Sequence, residues 1–291
     1  MKHHWLAVFV LFLVASAWGA TFTLVKNVLT RIPPEPFIVL RFTTAGIILL
    51  IIAITSRKLP RSALRPGLIL GALVFSGYWL QTRGLMTITP SRSAFLTGLY
   101  VVMVPFCDRL LFAKRIAARA WLGCVLAAAG TTLLIGGVDM RAGFGDILTI
   151  TCAICFALHM VLSAKYSTGT TALGLAAVQV IVVGIAAIPP SLFVPRPHLT
   201  PFVIAVILFT AIVTTALAFV LLMWGQSRVT ATEAAVILAF EPMAAAITSI
   251  VFQHEPVTIG FVAGAVLILA AMVLSQLPAR RRKISTWTPT G

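Results

Sequence analysis

The amino-acid pattern predicts an all-α polytopic membrane protein, ten transmembrane helices arranged as two inverted five-helix repeats. Three observations carry this expectation. Of the 291 residues 60% are hydrophobic and only 10% are charged, whereas a soluble domain is about 45–50% apolar and about 25% charged. The apolar residues lie in unbroken runs of about 20, the length a helix needs to cross roughly 30 Å of hydrocarbon. The second half of the chain also repeats the register of the first.

Prolines, glycines and charge clusters mark where the runs break. The expected spans are Trp5 to Val25, Pro36 to Ser56, Pro66 to Met86, Ser91 to Phe112, Ala117 to Gly136, Asp146 to Tyr166, Thr171 to Phe193, Pro201 to Gly225, Thr230 to Phe252 and Pro256 to Leu277. Several open on proline, whose missing N–H is harmless in a first helical turn. The runs are continuous and lack the alternation of lipid-facing strands, which argues against a β-barrel. The first run has Lys2 and the small residues Ala15, Ala17 and Ala20 in the manner of a secretory leader. Its apolar character continues through Phe22 to Val25, and the repeat needs this helix, so it is expected to stay. The loops left over are too short for a separate soluble domain.

All four cysteines, Cys107, Cys124, Cys152 and Cys155, fall inside apolar runs and read as buried small hydrophobes with no disulfide. Cys152, Cys155 and His159 share a helical face, but a CxxC on a continuous helix lacks the chelating turn of a zinc motif. The expectation is packing thiols beside a pocket histidine, with no metal and no cofactor.

A shift of 141 residues lays Leu80–Leu133 on Leu221–Leu274 without a gap, pairing Gly84 with Gly225, Thr89 with Thr230, Ala94 with Ala235 and Gly123 with Gly264. A shift of 138 sets Trp18-Gly19 against Phe156-Ala157 and Arg41 against Gln179. The organisation expected is a first repeat over 1–137, a second over 138–278 and a basic cytoplasmic tail over 279–291. Repeats with an odd number of spans must enter the membrane in opposite directions, which makes the pair inverted.

Charge supports that orientation. With the N-terminus inside, cytoplasmic segments hold fourteen Lys and Arg, among them Arg57, Lys58, Lys114, Arg115 and the run Arg280–Lys283. Outside segments hold five: Lys26, Arg31, Arg92, Arg141 and Arg196. Basic residues gather on the cytoplasmic side of membrane proteins, so both termini are expected there. Lys114-Arg115 aligns with Glu255-Pro256, as inversion requires, whereas Arg92 outside aligns with Glu233 inside, against the trend. The net charge of +15 is thereby an orientation signal facing anionic membrane lipids, and no nucleic-acid partner is expected.

Two five-helix repeats, the Trp18-Gly19 element, Pro242, the segment Phe252-Gln253-His254-Glu255-Pro256 and Gly260 together resemble the EamA-type family of the drug/metabolite transporter superfamily. The resemblance spans nearly the whole chain. Where that family often carries a loop glutamate in the first repeat, this chain has Lys114. The resemblance implies a secondary transporter of the bacterial inner membrane that exports metabolites, with exporters of aromatic and other neutral amino acids the nearest match. It also implies that the first, third, fourth, sixth, eighth and ninth helices line a central cavity, while the fifth and tenth brace the repeats. Gly260 with Gly264, and Gly123 with Ala127, have the small-xxx-small spacing suited to such bracing.

Ionisable groups at membrane depth are expensive unless they face a cavity or a partner. Glu241 lies near the middle of the ninth run, followed by Pro242. Two roles fit it: holding an ammonium or exchanging a proton, or a neutral carboxyl bonded to a neighbouring helix. His159 in the sixth run fits either coupling or a structural hydrogen bond. Gln81 must point inward and takes Tyr78 with it, Tyr100 is the repeat equivalent of Glu241, and Trp18 fits either stacking on substrate or packing. The candidate substrate-binding residues are thus Trp18, Tyr78, Gln81, Tyr100, His159 and Glu241, with Pro105 and Pro242 as candidate gating bends. Arg41, Arg83 and Arg109 are placed near span ends, with their heads extended to the interface.

An embedded enzyme would need paired deep carboxylates or a nucleophile with a base. Glu241 alone is deep, so no catalytic residue is assigned. A nucleotide sugar would demand several deep basic groups, and this reading places none near the midplane. The expected function is export of small metabolites, aromatic or other neutral amino acids first, by alternating access in a monomer. The alternatives are a multidrug or other metabolite exporter of the same superfamily, and an embedded enzyme.

Overall fold

The computed structural model describes residues 2–134, 143–253 and 257–276. The expected repeat boundary at 137/138, Arg141, the loop residues His254, Glu255 and Pro256, and the tail 279–291 lie outside the described residues.

Helices account for all the regular structure among the described residues. In order they are α1 (Lys2–Leu29), α2 (Pro34–Thr55), α3 (Leu64–Leu85), α4 (Pro90–Gly98), α5 (Tyr100–Phe112), α6 (Ala118–Leu134) and α7 (Phe144–Tyr166). They continue as α8 (Ala172–Ala186), α9 (Ile188–Ser191), α10 (Pro201–Ala211), α11 (Ala218–Gln226), α12 (Ala231–Leu238), α13 (Glu241–Gln253) and α14 (Ile259–Gln276). Eight spans among the described residues are long and apolar enough to cross a membrane, and the runs around α6 and α14 form shorter apolar helices.

Local chemistry sets the helix starts. Pro34, Pro90 and Pro201 stand in first turns. The hydroxyls of Thr89, Thr171, Thr200 and Thr230 accept from the backbone N–H groups of Arg92, Gly174, Val203 and Glu233. Each cap satisfies a donor that the helix leaves orphaned and is worth about 1 kcal/mol.

Two spans are interrupted. The fourth breaks at Leu99 between α4 and α5, and the ninth at Ala239–Phe240 between α12 and α13. Under the 141-residue shift, Tyr100, which opens α5, falls on Glu241, which opens α13, so the breaks coincide. The seventh-to-eighth connection leads into α10, which passes through a π-helical turn, Ile212–Leu217, into α11.

Close backbone approaches show how the helices run. A Cβ on Gly46 would lie 2.7 Å from the Ile181 Cα, and one on Gly184 would lie 2.8 Å from the Thr43 backbone N. The higher-numbered residue of α2 meets the lower-numbered one of α8, so these helices are antiparallel. The 138-residue shift carries Thr43 and Gly46 onto Ile181 and Gly184, so the two contacts are the same contact seen from each side. α6 and α14 are antiparallel as well, with Gly264 against the Gly130 carbonyl and Gly260 against that of Leu133. The seam expected at Gly123 is displaced: a Cβ there would meet only ordinary contacts, the nearest at 3.5 Å, and Gly130 makes the close approach instead. Outward-facing Ile51, Ile54, Leu110 and Val266 present aliphatic surface suited to lipid.

Candidate functional site

A cavity with an empty volume of about 790 Å3, its mouth included, lies among the spans. Its lining contains all six residues singled out from the sequence: Trp18, Tyr78, Gln81, Tyr100, His159 and Glu241. On α1 the lining runs from Trp18 to Val25, and on α3 from Val74 to Leu85. The cavity therefore reaches from mid-depth to the face where α1 and α3 end. Toward the opposite face, the Ser163 hydroxyl donates to Gln226 Oε1 at 2.5 Å, both side chains buried.

The walls are aromatic. Tyr78 meets Phe156 edge-on with ring centroids 5.4 Å apart, and Trp18 faces Phe219 at 5.9 Å. Edge-on pairing sets the positive rim of one ring against the negative face of the next. These four belong together in the sequence register: Trp18 falls on Phe156 under the 138-residue shift, and Tyr78 on Phe219 under the 141-residue shift. Thr21 and His159, and Phe22 and Met160, are likewise matched, and all four line the cavity.

Glu241 is 8% exposed. Among the described residues no side chain donates a hydrogen bond to its carboxylate, and it forms no ion pair. The break before it matters. It makes Glu241 the first residue of α13, where the helix dipole favours negative charge. Pro242 follows in the first turn, where it removes no helical bond. The interruptions stand at Leu99 and at Ala239–Phe240, whereas Pro105 lies inside α5 beyond the first of them. Gln81 Nε2 donates to Thr97 Oγ1 at 3.0 Å, and His159 Nε2 lies 2.8 Å from Gln179 Oε1.

Arg41 corrects the sequence reading. It is 4% exposed and lines the cavity instead of reaching an interface. Its Nε donates to Thr215 Oγ1 at 2.7 Å and its Nη2 to Thr214 Oγ1 at 3.2 Å, on the π-helical turn. The expectation of no deep basic group fails with it, and the second helix joins the cavity wall. The signal was present in the alignment of Arg41 with Gln179, a pair of polar residues sharing one register inside apolar runs. The other two arginines differ. Arg83 pairs with buried Glu35 at 2.6 Å, and Arg109 is exposed. Asp108 is buried but paired with Lys114 at 2.9 Å, which leaves Glu241 as the unpaired acid of the cavity.

Apolar membrane-crossing helices packed around an aromatic-walled cavity define a multi-span membrane protein. The sequence matches the EamA-like transporter family over residues 5–136 and again over 143–277, and the chain belongs to that family. An uncharacterized transporter of Archaeoglobus fulgidus is 32% identical over 91% of this chain and 84% of its own length. The uncharacterized transporter YyaM of Bacillus subtilis is 26% identical over 98% of both chains. A protein of known crystal structure has the same fold, with a TM-score of 0.78 at 18% identity, covering 95% of this chain and 98% of its own.

Proposed function

We propose that the protein is a secondary transporter that exports small metabolites, aromatic or other neutral amino acids first, by alternating access between two inverted five-helix repeats. The repeats correspond to 1–137 and 138–278. The observation that carries the reading is the unpaired Glu241 carboxylate in an aromatic cavity lined by matched residues of both halves. A buried carboxyl group with no side-chain partner among the described residues suits a substrate ammonium, and the rings around it suit an apolar side chain. The coincident breaks and the antiparallel packing of matched helices support the inversion. The charge distribution supports cytoplasmic termini in a bacterial inner membrane. One chain supplies both halves of the cavity, which supports function as a monomer.

Flux from proteoliposomes loaded with labelled amino acids, with and without a pH gradient, tests this. Glu241→Gln is expected to slow the transported amino acid about tenfold or more, the equivalent of one lost charge-assisted contact. Unchanged flux and unchanged pH response in that variant would remove Glu241 from the site. Movement of a cationic drug with no amino acid moved would replace the substrate class.

A further inference from the structure

Arg41 is a cation enclosed in the wall of the same cavity, and among the described residues no carboxylate pairs with it. Its surroundings are neutral: the hydroxyls of Thr214 and Thr215, the Thr214 carbonyl, and the rings of Phe42 and Tyr78 at 5.3 and 5.2 Å from the guanidinium carbon. Such neighbours hold a guanidinium in place without neutralising it. A buried charge left uncompensated is expensive, and the obvious compensating group, Glu241, lines the cavity yet forms no ion pair with it. The protein thus keeps a guanidinium and a carboxyl group, not paired with each other, facing a shared cavity.

Resting on the amino-acid reading above, we propose that Arg41 binds the substrate carboxylate while Glu241 takes its ammonium, so that the site selects the zwitterion of an α-amino acid with an apolar side chain. The substrate carboxylate supplies the counter-charge that Arg41 lacks, and the ammonium donates to the Glu241 carboxyl group. With Nε and Nη2 donating to Thr215 and Thr214, the Nη1 side of the guanidinium is the one left to donate to the carboxylate. The Thr214 and Thr215 bonds fix the guanidinium plane, and Trp18, Tyr78, Phe156 and Phe219 form the pocket for the side chain.

The test uses the full chain in proteoliposomes with labelled L-phenylalanine, competed by phenethylamine, which lacks the carboxylate, and by 3-phenylpropionate, which lacks the ammonium. In the unaltered protein unlabelled L-phenylalanine is expected to compete best. Arg41→Gln is expected to weaken L-phenylalanine about ten- to a hundredfold while leaving phenethylamine within about twofold. Arg41→Lys, which keeps the charge and loses the bonds to both threonines, is expected to fall between. Direct binding of labelled phenethylamine to each variant reports whether the cavity is still folded. Equal weakening of L-phenylalanine and phenethylamine, or no weakening of either, would overturn the role of Arg41 and leave the exporter reading standing. If the unaltered protein moves no amino acid, the exporter reading falls first and this proposal with it.

Discussion

Trp18 and Arg41, from different spans, hydrogen-bond to one carbonyl, that of Thr214: the indole Nε1 donates at 2.8 Å and Arg41 Nη2 at 3.4 Å. A carbonyl oxygen has two lone pairs and accepts side-chain donors beside its helical role. The residue that offers it sits in a π-helical turn, a local widening found often at functional sites. The indole, the guanidinium and the turn therefore form one unit of the cavity wall.

Trp18→Phe keeps most of the ring and removes the donor. It is expected to destabilise the protein by about 1 kcal/mol and to reduce flux, because Arg41 loses its neighbour on the Thr214 carbonyl. Thermal unfolding in detergent beside proteoliposome flux checks both effects. A variant equal to the unaltered protein in the two assays would show the bond to be incidental.

Arg92 holds the start of α4 to the start of α7, with Nε 2.5 Å from Asp146 Oδ1 and Nη2 3.0 Å from Oδ2. Asp146 also accepts from the Gly143 N–H at 2.7 Å, closing the first turn of α7. Asp146→Asn weakens both roles and is expected to lower stability by about 2 kcal/mol. The loss should persist in high salt, since the carboxylate is 4% exposed. A loss that vanishes in 1 M salt would mark an ordinary surface pair.

The α6–α14 contact separates glycines that matter from those that do not. Gly264→Ala drives a methyl group into the Gly130 carbonyl and is expected to lose about 1–3 kcal/mol. Gly123→Ala meets only ordinary contacts and is expected to be neutral or slightly stabilising, given the helix preference of alanine. Monodispersity on size exclusion and unfolding temperature give the ranking, and the reverse order would refute the contact.

Thr89 and Thr230 are matched by the repeat and cap α4 and α12 in the same way. Each alanine variant is expected to lose about 1 kcal/mol, and the double variant about the sum. Glu233 also accepts from the Thr230 N–H at 2.8 Å, completing a reciprocal pair of bonds, so Thr230→Ala is expected to be the worse of the two. Unfolding in detergent orders them.

Much of this was legible because polar groups inside apolar runs have few places to go. Glu241, Gln81 and His159 were marked by the expense of polarity in hydrocarbon, and Tyr100 by its register with Glu241. Arg41 was misplaced. A long basic side chain in the first third of a span ordinarily extends to the interface, and its burial depends on a π-helical turn in a distant span that no local pattern announces. The interruptions were hidden for a related reason. Proline was the visible sign of a bend, yet the fourth span breaks at Leu99 without one. Gly130 was overlooked because its repeat equivalent is Ala271: close approach at an antiparallel crossing joins residues that the repeat does not match.

The Ser163–Gln226 bond has a counterpart of different chemistry. Under the two shifts Ser163 falls on Val25 and Gln226 on Leu85, both at the far end of the cavity lining. If the halves exchange roles during transport, one closure is latched by a buried hydrogen bond and the other by an aliphatic contact. Hydrophobic closure weakens on cooling. On the alternating-access reading proposed above, cooling is then expected to loosen the aliphatic closure and spare the hydrogen-bonded one, so that temperature as well as solute tips the protein toward one side.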